Sequence, residues 1–374
     1  MIVGFVYICV AVLALMFMIT VHEFGHYLAA KLLKFKVNEF SIGFGKAIFK
    51  HKSKRTGEIF SIRMIPLGGY CAFEGEDEAG SAFTGGNKQQ SEMGVKSSLA
   101  PKEGEIRYDQ QKPWKRLVVL FSGAFANFVC GIVFCFILVT CVGYYQNVKI
   151  TSVENPETSS WQYSTQIKTG DIITEINGEK MSLLKNYNSK MSKFGEGEKF
   201  TLTILRNGAV LHEEVSKEKI TREDGTRYTG LGLLSGEIHY EKMSIGAGVG
   251  KAFSFSWELA ILILNFLGQM VTGKISWSEM GGTFSTISIM SEAISYGMVN
   301  LLILIPLISI NLAVFNLLPI PALDGARMVF VFIEWVRGKP INPAIENRIH
   351  TIGLLVLLGF VLLLDLNYLV FSRF

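Results

Sequence analysis

His22, Glu23 and His26 stand at the end of an apolar run, because residues 1–21 contain no Asp, Glu, Lys or Arg. That run is long enough to cross a bilayer as a helix. Ionisable side chains at such a depth are costly unless they are paired or bound to a metal. On a helix the two histidines, four apart, share a face, with Glu23 beside them. This is the H-E-x-x-H spacing, in which two imidazoles hold Zn²⁺ and the carboxylate works on a water at the metal.

A catalytic zinc takes three protein ligands and leaves one position for water. Asp324, within Asn316-Leu-Leu-Pro-Ile-Pro-Ala-Leu-Asp-Gly325, is the only acid between Glu292 and Glu334 and is the expected third ligand. Pro319 and Pro321 stop the preceding helix, leaving an extended chain that can turn Asp324 toward the metal. Asn316 is an amide in an apolar helix. It either bonds helix to helix or holds a substrate backbone beside the zinc.

The composition calls for a membrane protein with a soluble part: 49% hydrophobic and 18% charged, with mean hydropathy +0.34. A net charge of +4 gives no reason to expect nucleic acid as a partner. The fold class expected is a polytopic α-helical membrane protein with about four transmembrane helices, at 1–30, 116–145, 299–325 and 349–371. Asp365 interrupts the last span near its far end, where it is expected to lie already in the interface. Between the second and third spans, 236–298 contains a fifth apolar stretch at 251–273. Ser254, Ser256, Glu258, Asn265 and Gln269 dot that stretch, which favours a helix lying on or partly in the membrane.

Residues 31–116 hold 16 Lys and Arg against 10 Asp and Glu, whereas 146–250 hold 13 against 14. The positive-inside rule therefore puts 31–115 and 326–348 in the cytoplasm and 146–250 outside. The first and third spans then run parallel, so their C-terminal ends meet near the cytoplasmic leaflet. A fifth full span would reverse the third and separate them.

Within 31–115, the short apolar runs of 37–74, punctuated by Gly and Pro, read as membrane-associated β-strands. The remainder, about 75–112, is polar and is expected to be flexible. Residues 146–235 give short strands, a helix-like stretch at 182–194 and Asn-Gly turns at 177–178 and 207–208, the order of a small, partly open α+β barrel. His51, His212, His239 and His350 lack ligand spacing and read as surface or interfacial. Gly123 and Asn127 read as residues for close helix packing or an interhelical hydrogen bond. The five cysteines form no C-x-x-C metal site and no disulfide framework, and Ser122 lacks the partners of a serine nucleophile.

His22-Glu23-x-x-His26 in a first span, Pro66-Leu-Gly-Gly-Tyr70, and Asn316-x-x-Pro-x-Pro-x-Leu-Asp324-Gly together resemble the site-2 protease family of intramembrane zinc metalloproteases, regulator-of-sigma-E type. The resemblance implies Glu23 as general base and His22, His26 and Asp324 as zinc ligands. It implies that strands around 60–70, Gly68 and Gly69 among them, hold an unwound substrate. It makes 146–235 a single extracytoplasmic PDZ domain, with Thr169-Gly170-Asp171 and Ile176-Asn177-Gly178 as its landmarks, where Gram-negative members carry two. The family's Gly-Pro in the second span stands here as Gly123-Ala124. The implied substrates are single-pass membrane proteins, of the anti-sigma-factor or remnant-signal-peptide type, in the bacterial inner or plasma membrane. A scaffold with a structural zinc would need four protein ligands, and only three candidates exist. A metal carrier would show further ionisable groups along its spans, and these are missing.

Overall fold

The computed structural model describes residues 2–75, 105–155, 157–161, 166–222, 224–275 and 281–371. The polar stretch expected to be flexible falls largely at 76–104, outside the described residues. The chain divides into two compact units: residues 1–135 with 253–374, and residues 136–252.

In the first unit, α1 (Ile2–Leu32) runs for 31 residues, more than the ~20 a bilayer core requires. The metal motif therefore sits in its last third. After α1 come β1 (Val37–Lys52) and β2 (Ile59–Phe73). Both strands bend, and Ile42 pairs with Gly69 on one side and Ile62 on the other. The result is a curled antiparallel sheet in the order 47–52, 59–63, 39–42, 69–73, with 69–73 at one edge among the described residues. Arg63 locks the curl by donating to Glu39, Ser41, the Gly45 carbonyl and the Tyr70 hydroxyl. Its apolar side chains Ile48, Phe49, Ile62, Met64 and Ile65 are exposed, which is costly in water and favourable against lipid.

Helix α2 (Pro113–Ile137) packs against α1 where Gly25 faces Ser122 and Gly123. In the second unit a turn of π-helix at Leu138–Val142 leads into β3 (Tyr145–Val153). Strands β4 (Ile172–Ile176), β5 (Glu179–Ser182), β6 (Lys199–Arg206) and β7 (Ala209–Ser216) follow. The short helix α3 (Tyr187–Met191) lies between β5 and β6 and is capped by Asn186. The helix is shorter than the 182–194 expected, because Ser182 to Lys185 turn back on themselves. Then come β8 (Glu218–Thr221), β9 (Arg227–Gly230) and β10 (Leu233–Glu241). The main sheet has the order β10-β3-β5-β4-β6-β7. Asn177-Gly178 and Asn207-Gly208 all have positive φ, the backbone of the tightest hairpin turns. Ile150, Ile173, Met181, Leu202 and Ile204 fill the core. Asp171, buried, takes two hydrogen bonds from Arg206, at 2.7 and 2.8 Å.

Helix α4 (Ile245–Val271) is long and apolar enough to cross a membrane, so among the described residues five helices meet that criterion where four spans were expected. Ser256, read as a polar interruption, is fully enclosed and hydrogen-bonded with Cys135. Helix α5 (Thr283–Ser295) packs Ile287, Met290 and Ile294 against Ala11, Leu15 and Met18 of α1, together with Leu301 and Ile305 of α6 (Met298–Asn316). Two further helices are α7 (Asp324–Arg337) and α8 (Pro343–Phe371), so 326–348 is largely helical where a loop was expected. Arg116 of α2 pairs with Glu334 of α7. Asp365 of α8 is buried against its neighbours, and its Oδ1 accepts from the Phe284 N–H at 2.9 Å. An acid inside an apolar helix is thus matched to the unpaired N–H groups and positive end of α5.

Candidate metal centre

The α1 segment carrying His22 and His26 faces α2 at Gly123. A Cβ at Gly123 would overlap His26 Nε2 and His22 Cε1. The absent side chain is therefore the space in which both imidazoles sit. His26 Nδ1 donates to the Val119 carbonyl at 2.8 Å, which fixes the ring and leaves Nε2 with its lone pair exposed inward.

Asp324 arrives from the other side. Helix α6 ends at Asn316, and a turn over 317–323 brings the chain back so that α7 begins at Asp324. Three contacts shape that turn. Ala322 adopts φ +80°, and its N–H donates to His350 Nδ1 on α8 at 3.1 Å. Gly353, also on α8, lets Pro321 approach to where a side chain would stand. Gly325 does the same for the carbonyls of Leu317 and Leu318. His350, expected at the surface or interface, is buried and holds this turn.

Three ligand atoms converge. His22 Nε2 lies 3.0 Å from Asp324 Oδ2, His26 Nε2 lies 3.2 Å from it, and the two Nε2 atoms are 3.1 Å apart. The imidazole planes cross at 89°. A proton on each Nε2 would pair both rings with the carboxylate but would set two N–H groups against each other across 3.1 Å, and with fewer protons a lone pair faces the carboxylate. A cation satisfies all three. Tetrahedral zinc, with bonds of about 2.0–2.1 Å, sets its ligand atoms ~3.3 Å apart, close to what these side chains present. Among the described residues this is the group of His, Cys, Asp and Glu side chains that could hold a metal ion.

The cluster opens onto a cavity of about 260 Å³ lined by His22, Glu23, Asp324, Asn316, Asn127 and the Gly68–Gly69 backbone, among others. Glu23 borders that cavity, and a Cβ at Gly69 would lie 3.2 Å from its Cγ. Gly68 has φ +150°, and the Phe44 ring fills the place of its side chain. The structure thus brings together all seven residues singled out in the sequence: His22, Glu23, His26, Asp324, Asn316, Gly68 and Gly69. It adds Gly123, Asn127 and His350. Gly123 does allow close approach, but to the two imidazoles as well as to a helix. The arrangement can hold a divalent cation, place a carboxylate beside it, and accept an extended chain along a glycine-lined wall.

A family model described as Peptidase family M50 matches residues 10–360. The chain belongs to peptidase family M50. This M50 peptidase is similar to a protein of Fusobacterium nucleatum, 31% identical, covering 96% of this chain and 97% of that one. It is also similar to one from Clostridium perfringens, 29% identical over 98% of this chain and 99% of that one. Both are named as zinc metalloproteases. Zinc metalloprotease RasP of Shouchella clausii is 27% identical over 90% of this chain and 92% of its own. The M50 site-2 proteases are metalloenzymes, and zinc is the metal these relatives' names carry.

Proposed function

We propose that this M50 peptidase is an intramembrane zinc protease that cuts the transmembrane segments of single-pass proteins. His22, His26 and Asp324 are its ligands and Glu23 its general base. The observation that carries this reading is the triangle of ligand atoms 3.0–3.2 Å apart, opening onto the cavity that Glu23 and Asn316 also line.

Zinc, when bound, supplies a Lewis acid that polarises the scissile carbonyl and makes water more acidic. Glu23 takes the proton from the attacking water and delivers it to the leaving amine. Asn316 hydrogen-bonds the substrate main chain. A helical substrate hides its peptide bonds, so it must unwind first, and the sheet edge at 69–73 offers backbone groups to which an extended segment can add as a strand. Gly68 and Gly69 let that segment pass close to Glu23.

The same geometry bears on topology. Helices α1 and α6 both deliver their C-terminal ends to the cluster, so they run parallel. A chain that leaves the cytoplasm along α2 re-enters along α6 only if α4 makes no net crossing. Helix α5, with 13 residues, is about 20 Å long and cannot return across a ~30 Å core. Four spans therefore remain the reading, with the cluster near the cytoplasmic leaflet of a bacterial plasma or inner membrane. The 146–235 region is then a single extracytoplasmic PDZ domain that excludes substrates with bulky outer portions. Anti-sigma factors and remnant signal peptides are the substrate types that fit.

The test is cleavage of a synthetic transmembrane peptide by the purified full-length protein in vesicles. Glu23→Gln should keep zinc and lose cleavage by at least about a hundredfold, and a chelator should abolish the wild-type activity reversibly. Full activity of Glu23→Gln, or chelator-resistant cleavage, would overturn the assignment.

A further inference from the structure

Asn127 reads from sequence as a residue for helix packing or an interhelical hydrogen bond, and the structure gives both tasks to other groups. The bond between α2 and α6 at this level runs from the Ser309 hydroxyl to the Asn127 backbone carbonyl, at 2.8 Å. Close approach of the same two helices is set by Gly131, where an added side chain would meet Ile310. The Asn127 side chain takes part in neither contact. It is fully enclosed, yet neither Oδ1 nor Nδ2 has a hydrogen-bond partner. A buried amide left without partners is a standing cost, and one inside a membrane helix has no bulk water to fall back on. Asn127 also lines the cavity shared by His22, Glu23, Asn316 and Asp324.

Resting on the protease reading above, we infer that Asn127 is a substrate-binding residue whose side-chain amide pairs with the main chain of the unwound substrate. The chemistry matches. In an extended strand, the N–H and C=O of one residue point to the same edge, and a primary amide offers one acceptor and one donor to meet them. Asn127 follows Gly123, which abuts the imidazoles, by one helical turn on the same face of α2. That step of four residues rises about 6 Å, close to two residues of extended chain at about 3.3 Å each. The substrate residue gripped by Asn127 is therefore about two positions from the cut. With Asn316 on α6, the cavity has an amide from each of two facing helices, and both can reach a polypeptide of any side-chain sequence.

The experiment uses the full-length zinc-loaded protein in vesicles with synthetic transmembrane peptides. Each peptide carries one ester in place of an amide, at each position up to four residues on either side of the cut. An ester removes one N–H donor without changing shape. Wild-type protein should lose about tenfold in kcat/KM with the ester about two residues from the cut. Asn127→Leu should lose about tenfold on the all-amide peptide, keep one zinc per chain, and be indifferent to that same ester. Wild-type-like rates for Asn127→Leu, or an unaltered ester profile in that variant, would overturn the inference while leaving the protease reading intact. Failure of the wild-type protein to cut any peptide would instead remove the protease reading. If Asn127→Leu loses zinc, Asn127→Ala takes its place under the same expectations, and loss of zinc from both makes Asn127 structural and ends the proposal.

Discussion

The Ala322 N–H donates to His350 Nδ1 across 3.1 Å, tying the turn that presents Asp324 to the last helix of the chain. Ala322 sits at φ +80°, a conformation that L-residues other than Gly, Asn and Asp seldom adopt. The bond to His350 helps hold it there, two residues before a proposed ligand. His350→Leu is expected to weaken zinc binding about 10–100-fold, the usual cost of losing an outer-shell contact. His350→Asn, which can place an acceptor oxygen near the position of Nδ1, should recover most of it. Competition against a fluorescent zinc chelator reads both.

Gly123→Ala should be among the most damaging single-methyl changes in the chain. Its Cβ would enter the space of His26 Nε2 and His22 Cε1, so the rings must tilt and the ligand atoms separate. Zinc affinity should fall at least about tenfold. Gly359→Ala on α8, where an added Cβ meets nothing within 4 Å, should leave it unchanged. Zinc content after dialysis distinguishes them.

Asp365 caps a helix to which it does not belong. Asp365→Leu is expected to cost about 1–2 kcal/mol of stability, the range for losing an N-terminal cap, and to loosen α5 from α1. Asp365→Asn keeps an acceptor for the Phe284 N–H and should cost much less. Thermal unfolding in detergent, with a shift of a few degrees for the leucine variant, checks the difference.

If α4 makes no net crossing, Lys242 before it and Tyr296 after α5 lie on the same side of the membrane. Single cysteines placed at both positions in a cysteine-free background should react with an impermeant maleimide added from outside the cell. Cysteines at Arg55 and Lys339 should not react until the membrane is opened. Labelling of 242 and 296 from opposite sides would refute the four-span topology.

Much of the centre was legible because its chemistry is rare. Two histidines at i and i+4 ending an uncharged helix, and one acid in forty residues of apolar chain, have few other uses. The supporting residues were not legible because their types are ambiguous. Gly123 reads as helix packing whether it faces a backbone or an imidazole. Asn127 reads as interhelical glue until the Ser309 hydroxyl is seen making that bond. His350 serves a backbone N–H in a turn whose unusual φ falls on an alanine, and no propensity announces that. The same limit applied to Ser256 and Asp365, since sequence gives the polarity of a side chain but not the donor or helix end that offsets it. Helix α4 has the length and hydropathy of a span, and only the meeting of α1 with α6 argues against counting it as one.

In the proposed centre, two histidines and an aspartate 302 positions beyond the first of them hold one ion. Zinc per chain, measured by atomic emission on purified Asp324→Ala beside Glu23→Gln and wild type, tests it most directly. The expected result is one zinc in wild type and in Glu23→Gln, and close to none in Asp324→Ala. A full equivalent of zinc retained at wild-type affinity by Asp324→Ala would remove Asp324 from the metal and leave the proposed centre without its third ligand.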